Sequence, residues 1–195
     1  MAPLACATAN FVAALVLAFV LAPATPLVAD VAERERYIRE NLTAWRAGWA
    51  IWMLAAVTLL WFYTWWRGRA NGPRSAIVIA SAGIAADLGS EAMLIVAGAD
   101  GYAGVAPLAF FLTGAIANSL YTIAGIQLTL ATTLGPRERA YAAFMWSAGL
   151  MLSLGAILAQ PLITAIASTL LFALFCPWCL WLWRRLPRNV KTVER

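Results

Sequence analysis

The stretch AIVIASAGIAADLGSEAMLIVA, residues 76–97, decides the fold. As a helix it is long enough to cross the ~30 Å hydrocarbon core of a bilayer. It holds no lysine or arginine, yet it places Asp87 and Glu91 one helical turn apart. A charge at the bilayer centre costs about 2.5–3.5 kcal/mol on insertion scales, so acids in such a run face a bundle interior and are met there by other groups. The rest of the chain is therefore expected to supply helices that close around this pair.

Composition agrees. The 195 residues are 63% hydrophobic and 12% charged, with a mean hydropathy of +0.78. Soluble domains are nearer about 45–50% apolar and 25% charged. The expected class is all-α and polytopic: one transmembrane domain over residues 1–195, with the lipid bilayer as its surroundings. The net charge of +5 is not a nucleic-acid signature, because the basic residues fall in short loops between apolar runs. The chain has no histidine. That excludes His-ligated haem, His-built zinc sites and imidazole-dependent triads. No metal site and no cofactor is expected. Three cysteines are too few for a disulfide framework.

Working outward from residues 76–97, six spans are predicted: 4–22, 45–66, 75–97, 105–134, 141–160 and 162–183. The first carries no basic residue ahead of it, so a retained span is expected rather than a signal peptide. Between the first two spans, residues 30–43 alternate Asp30, Glu33, Glu35 and Glu40 with Arg34, Arg36 and Arg39. Glu35/Arg39 and Arg36/Glu40 have helical spacing, which predicts a short amphipathic helix on the membrane surface. Trp45, Trp49 and Trp52 at one end of the second span, and Trp61, Trp65 and Trp66 at the other, read as interfacial belts. Residues 140–183 contain no charge. As one helix they would be about 66 Å long, so the chain must fold back, with Gln160-Pro161 as the break.

Charge then sets an expected orientation. The loops after spans two, four and six hold Arg67, Arg69, Arg74, Arg137, Arg139, Arg184, Arg185, Arg188, Lys191 and Arg195, against only Glu138 and Glu194. The opposite side balances Arg34, Arg36, Arg39 and Arg46 with Asp30, Glu33, Glu35, Glu40 and Asp100. The positive-inside rule puts both termini in the cytoplasm.

The candidate site follows from periodicity. Gly83, Asp87, Glu91 and Leu94 share one stripe of the third span. In the fourth, Gly114, Asn118, Tyr121 and Gly125 share a face in a regular helix, with Thr122 and Gln127 nearby. Consecutive spans joined by a short loop pack antiparallel, so Asn118 and Tyr121 are the expected hydrogen-bond partners of Asp87 and Glu91. Arg46 is the nearest candidate counter-ion, or it snorkels to the headgroups. Without a cation beside them, at least one of the two carboxyls is expected to be neutral. This reading makes the protein a small proton- or cation-coupled transporter or sensor, with its ligand or ion between the third and fourth spans and access from the outer leaflet. The alternative is a non-catalytic membrane subunit. Its polar cluster would only lock helix register, and its lipid-facing surface would bind protein partners of a larger complex. A cavity reaching Asp87 favours the first; a dry, fully bonded cluster favours the second.

A third reading rests on Cys176-Pro177-Trp178-Cys179. Cys-x-x-Cys supports thiol–disulfide exchange. The motif resembles that of the thioredoxin superfamily, and of quinone-linked membrane oxidoreductases of the vitamin K epoxide reductase family. It implies a thiol–quinone oxidoreductase. The resemblance covers four residues, and the second cysteine pair of those membrane enzymes is absent. The competing reading is two small apolar residues beside a proline kink. No serine has a base beside it in the pattern, so no other catalytic residue is expected.

A wider resemblance is carried by Trp45-Arg-Ala-Gly-Trp49, Ala86-Asp-Leu-Gly89 and Thr113-Gly-Ala-Ile-Ala-Asn118-Ser-Leu-Tyr121. These runs resemble a group of small bacterial six-span integral membrane proteins of unknown function. The resemblance implies a multi-pass protein of a bacterial plasma (inner) membrane and carries no activity.

Overall fold

Proline, glycine and arginine punctuate the apolar helices in the structure, a computed structural model that describes residues 1–186. Six helices are long and apolar enough to cross a membrane: α1 (Ala2–Ala24), α3 (Leu42–Ala70), α4 (Arg74–Ala97), α5 (Tyr102–Leu130), α6 (Pro136–Ile157) and α7 (Pro161–Arg185). A shorter helix, α2 (Val31–Glu40), lies between the first two. Among the described residues there is no strand. Arg188, Lys191, Glu194 and Arg195 of the expected charge pattern lie outside the described residues.

The breaks are chemical. α3 ends where Asn71 turns left-handed at φ 51°, and α4 ends at Gly98 at φ 55°. α6 and α7 separate at residues 158–160. There Ala159 takes φ 50°, and the Gln160 N–H donates to the Gly155 carbonyl at 2.8 Å. That bond and the Ala159 N–H to Ala156 carbonyl bond at 3.2 Å close the helix end in a Schellman arrangement. Pro161 then opens α7, where its missing N–H costs nothing.

Each spanning helix packs on its neighbour in chain order, and α7 returns to α1 to complete a ring. Two apolar clusters fill the ring at different depths. One gathers Leu21, Ile38, Trp45, Trp49, Leu94 and Tyr102 toward α2. The other gathers Phe62, Trp66, Leu128, Met145, Trp178 and Leu182 toward the arginine-rich end. The outside of the ring exposes Phe11, Leu54, Val78, Val96, Leu130, Phe144 and Leu162. A water-facing surface would not carry this many bare side chains; acyl chains accept them.

Trp45, Trp49 and Trp66 differ from the belt expectation. They are 0%, 2% and 0% exposed, turned into the bundle. Trp45 meets Trp49 edge-on at 5.4 Å and Tyr102 at 6.1 Å. Hydropathy places indoles at a depth but cannot assign the face.

The α2 end is tied down by tyrosines. The α1 chain widens at Leu17–Leu21 and tightens at Ala22–Ala24, which leaves carbonyls free of regular helical bonds. The Tyr37 hydroxyl donates to the Val20 carbonyl at 2.7 Å, and the Tyr102 hydroxyl to the Ala24 carbonyl at 2.6 Å. Buried carbonyls left over by irregular backbone need such donors. Arg34 lies 5.8 Å over the Tyr102 ring. Arg39 pairs with Asp100 at 3.0 Å rather than with Glu35.

Candidate functional site

Asp87 sits near the middle of α4, about 20 Å from Arg74 and about 15 Å from Ala97 along the axis. It is 3% exposed and Glu91 is 0% exposed. Both therefore point into the ring, yet their surroundings differ.

Asp87 is held by two hydroxyls of α5. Thr113 Oγ1 donates to Asp87 Oδ1, and the Tyr121 hydroxyl donates to Oδ2 at 2.9 Å. Tyr121 can come this close because Gly83 has no side chain. A Cβ there would lie 2.7 Å from Tyr121 Cε1 and 3.1 Å from Leu120 Cβ. The Tyr63 hydroxyl fixes the same turn of α5 by donating to the Tyr121 carbonyl at 3.0 Å.

Thr113 reaches Asp87 because α5 is not regular. Residues Leu112–Ala117 form a wide, π-type turn. Thr113 and Tyr121 are eight positions apart. In a regular helix, at about 100° per residue, they would diverge by about 80°. The wide turn absorbs one extra residue and brings them back to within about 20°. The same rotation carries Gly114 off the expected stripe, against Ala156 of α6. Asn118 does not reach either acid. Its Nδ2 donates at 2.7 Å to the Thr113 carbonyl, inside the wide turn.

Glu91 has neither partner nor water access: both carboxyl oxygens are buried and unbonded. Ser90, next in the chain, bonds the Asp87 carbonyl at 2.7 Å instead. The indole N–H groups of Trp45 and Trp49 are also buried and unbonded. Arg46 is exposed and its Nε donates to the Ile95 carbonyl at 3.2 Å. It brings no charge to the pair.

A cavity of about 70 Å³ reaches Asp87 at the centre of the ring. Every spanning helix contributes to its lining: Asn10 from α1, Trp52 and Tyr63 from α3, Asp87 from α4, Asn118 and Tyr121 from α5, Trp146 from α6, and Phe172 and Phe175 from α7. Asn10 and Thr113 are site residues that sequence reasoning missed, as are the ring-bearing Tyr63, Trp146, Phe172 and Phe175. Asn10 is a lone amide in the first span, and its Nδ2 donates to the Cys6 carbonyl at 2.9 Å. The only signal for it was a carboxamide inside an apolar run. Trp146 stands close because Gly125 leaves room for its ring, and its Nε1 donates to Thr129 Oγ1 at 2.9 Å.

Cys6, Cys176 and Cys179 are free thiols; Cys6 and Cys179 are buried. Pro177 lies within α7. Cys176 and Cys179 are not among the residues lining the cavity. Among the described residues no cluster of acids and cysteines is grouped to hold a metal ion.

Substituting Gly83 tests how tightly the cluster is built. Gly83→Ala forces the Tyr121 ring and the Leu120 Cβ to give way together. The expected cost is about 1–3 kcal/mol, as for overpacking elsewhere, with the Tyr121–Asp87 bond weakened. Thermal unfolding in detergent reads the first effect. A Tyr121→Phe background reads the second, because the Gly83→Ala penalty should shrink there if that bond carries part of it.

Comparison of the chain with protein-family models, with curated proteins and with solved structures found no match.

Proposed function

We propose that this multi-pass membrane protein takes up a proton or a small cation on Asp87 and works as a small transporter or sensor. One observation carries the reading: a carboxylate with no cationic partner among the described residues faces a central cavity that every spanning helix helps to line. A cluster that only locked register would be expected to close on itself, with all its acceptors bonded. Here Glu91 has both oxygens unbonded, and Asp87 keeps lone pairs beyond the two that its hydroxyl partners occupy. Intramembrane acids in such settings mark ion paths and proton relays. The arginines at the ends of α3, α4, α6 and α7 support an orientation with that end cytoplasmic, in a bacterial plasma membrane.

The test is uptake into vesicles holding the purified protein, driven by a proton or cation gradient and compared with Asp87→Asn. Asparagine keeps the shape and an acceptor for one hydroxyl but removes the charge. Loss of uptake with unchanged folding is the expected result. Full uptake by Asp87→Asn at every pH would remove Asp87 from the function.

A further inference from the structure

We propose that the ligand of the central cavity is a small alkylammonium ion, of the size of methylammonium to propylammonium; this rests on the cation reading of Asp87 given above. The first argument is the balance of donors and acceptors. The protons of the Tyr63 and Tyr121 hydroxyls and of the Trp146 indole are already spent, on the Tyr121 carbonyl, on Asp87 and on Thr129. The amide nitrogens of Asn10 and Asn118 are turned to the backbone carbonyls of Cys6 and Thr113. Their carbonyl oxygens carry no hydrogen bond. Beside the Thr122 hydroxyl and the Trp52 indole N–H, which also line the cavity, what the wall offers a guest is two amide oxygens and the spare lone pairs of a carboxylate that no cation among the described residues balances. A guest that satisfies them brings N–H donors and a single positive charge.

The second argument is the wall. The rest of the lining is largely aromatic, with rings from Trp52, Tyr63, Tyr121, Trp146, Phe172 and Phe175. Ring faces attract organic cations. A bare metal ion asks for a shell of about six or more oxygens, which one carboxylate and two amides do not make. An ammonium head needs only three acceptors, and its alkyl tail suits the rings.

The third argument is volume. The cavity of about 70 Å³ is roughly half of the ~150 Å³ that admits benzene. That leaves room for a few heavy atoms and excludes an aromatic or polyamine guest.

Calorimetric titration of the purified protein in detergent tests this, with ethylammonium, sodium, potassium, ethanol and benzylammonium as probes. The expected result is one ethylammonium site, at least about tenfold tighter than sodium or potassium, and no binding of ethanol or benzylammonium. Asp87→Asn should weaken ethylammonium by about 30-fold or more. Ala56→Leu should also abolish it, by filling the cavity with every polar group left in place; its melting temperature reports that the fold is intact. Ethylammonium binding that survives Ala56→Leu would place the ion elsewhere and overturn the proposal. Sodium or potassium binding as tightly as ethylammonium overturns it too, but leaves the cation reading standing. Failure to bind any of these ions, together with no proton uptake, sinks both.

Discussion

Glu91→Met should make the protein more stable, by about 1–4 kcal/mol. Glu91 is fully buried and neither of its oxygens has a partner. A buried acceptor without a partner costs about 1–3 kcal/mol even when the group is neutral, and more if it is ionised. Replacing buried ionic groups by apolar ones of similar volume has stabilised other proteins by about 1–4 kcal/mol. Methionine fills nearly the same space and bends to fit. The measurement belongs in detergent, where a helix released from the bundle stays in the micelle but lets the Glu91 carboxyl reach toward its polar boundary, so part of the burial cost is relieved. Thermal or denaturant unfolding reads it. A native carboxyl kept at such a cost points to use, so the same variant should lose activity as it gains stability. If Glu91→Met instead melts earlier, Glu91 makes a favourable contact that its unbonded oxygens do not reveal.

Trp66→Ala carries the largest expected loss, about 3 kcal/mol. Trp66 is 0% exposed and stands in a chain of rings: Phe62 at 5.6 Å, Tyr63 at 6.3 Å and Trp178 at 6.1 Å. Its Nε1 donates to Thr132 Oγ1 at 2.9 Å. Trp→Ala in a core costs about 3–5 kcal/mol. The low end applies, because a spanning helix released from its neighbours still keeps its side chains in an apolar medium, so little transfer energy is lost. What goes is packing, plus the Thr132 bond. Trp66→Phe should recover most of the packing and none of the bond. The difference between the two variants in unfolding free energy therefore separates the two contributions, with about 1 kcal/mol expected for the bond.

How much of this was legible depended on whether a feature was written in composition or in geometry. The six helices were legible because their ends are chemical: Arg67 to Arg74, the glycines at 98 and 101, Gly135-Pro136 and Gln160-Pro161 all interrupt apolar runs. The fourth helix stops at Leu130 rather than 134; Thr132 bonds back to the Leu128 carbonyl and accepts from Trp66, a tertiary event that no local pattern announces. Asp87 and Tyr121 could be brought together on paper from spacing and antiparallel packing. Thr113 could not, because a period of 3.6 assumes a regular helix and α5 departs from one just there. Asn10 was hidden for a different reason: α1 and α5 are far apart in sequence, and α1 comes to the cavity by packing on both α3 and α7. The inward turn of Trp45 and Trp49 shows the same limit, since hydropathy reports depth and not azimuth.

The wide turn at residues 112–117 also makes the binding chemistry hang on reading frame within a helix. Losing the codon for Gly114, Ala115, Ile116 or Ala117 would leave Thr113 and Tyr121 seven positions apart, which an ordinary spiral already brings to within about 20° of each other. Gaining a codon there would instead swing Thr113 about 80° away from the carboxylate unless the backbone widened a second time. Single in-frame deletions and insertions in this stretch should thus have opposite effects on the centre without altering one of its functional groups, an outcome that substitution scanning would never encounter.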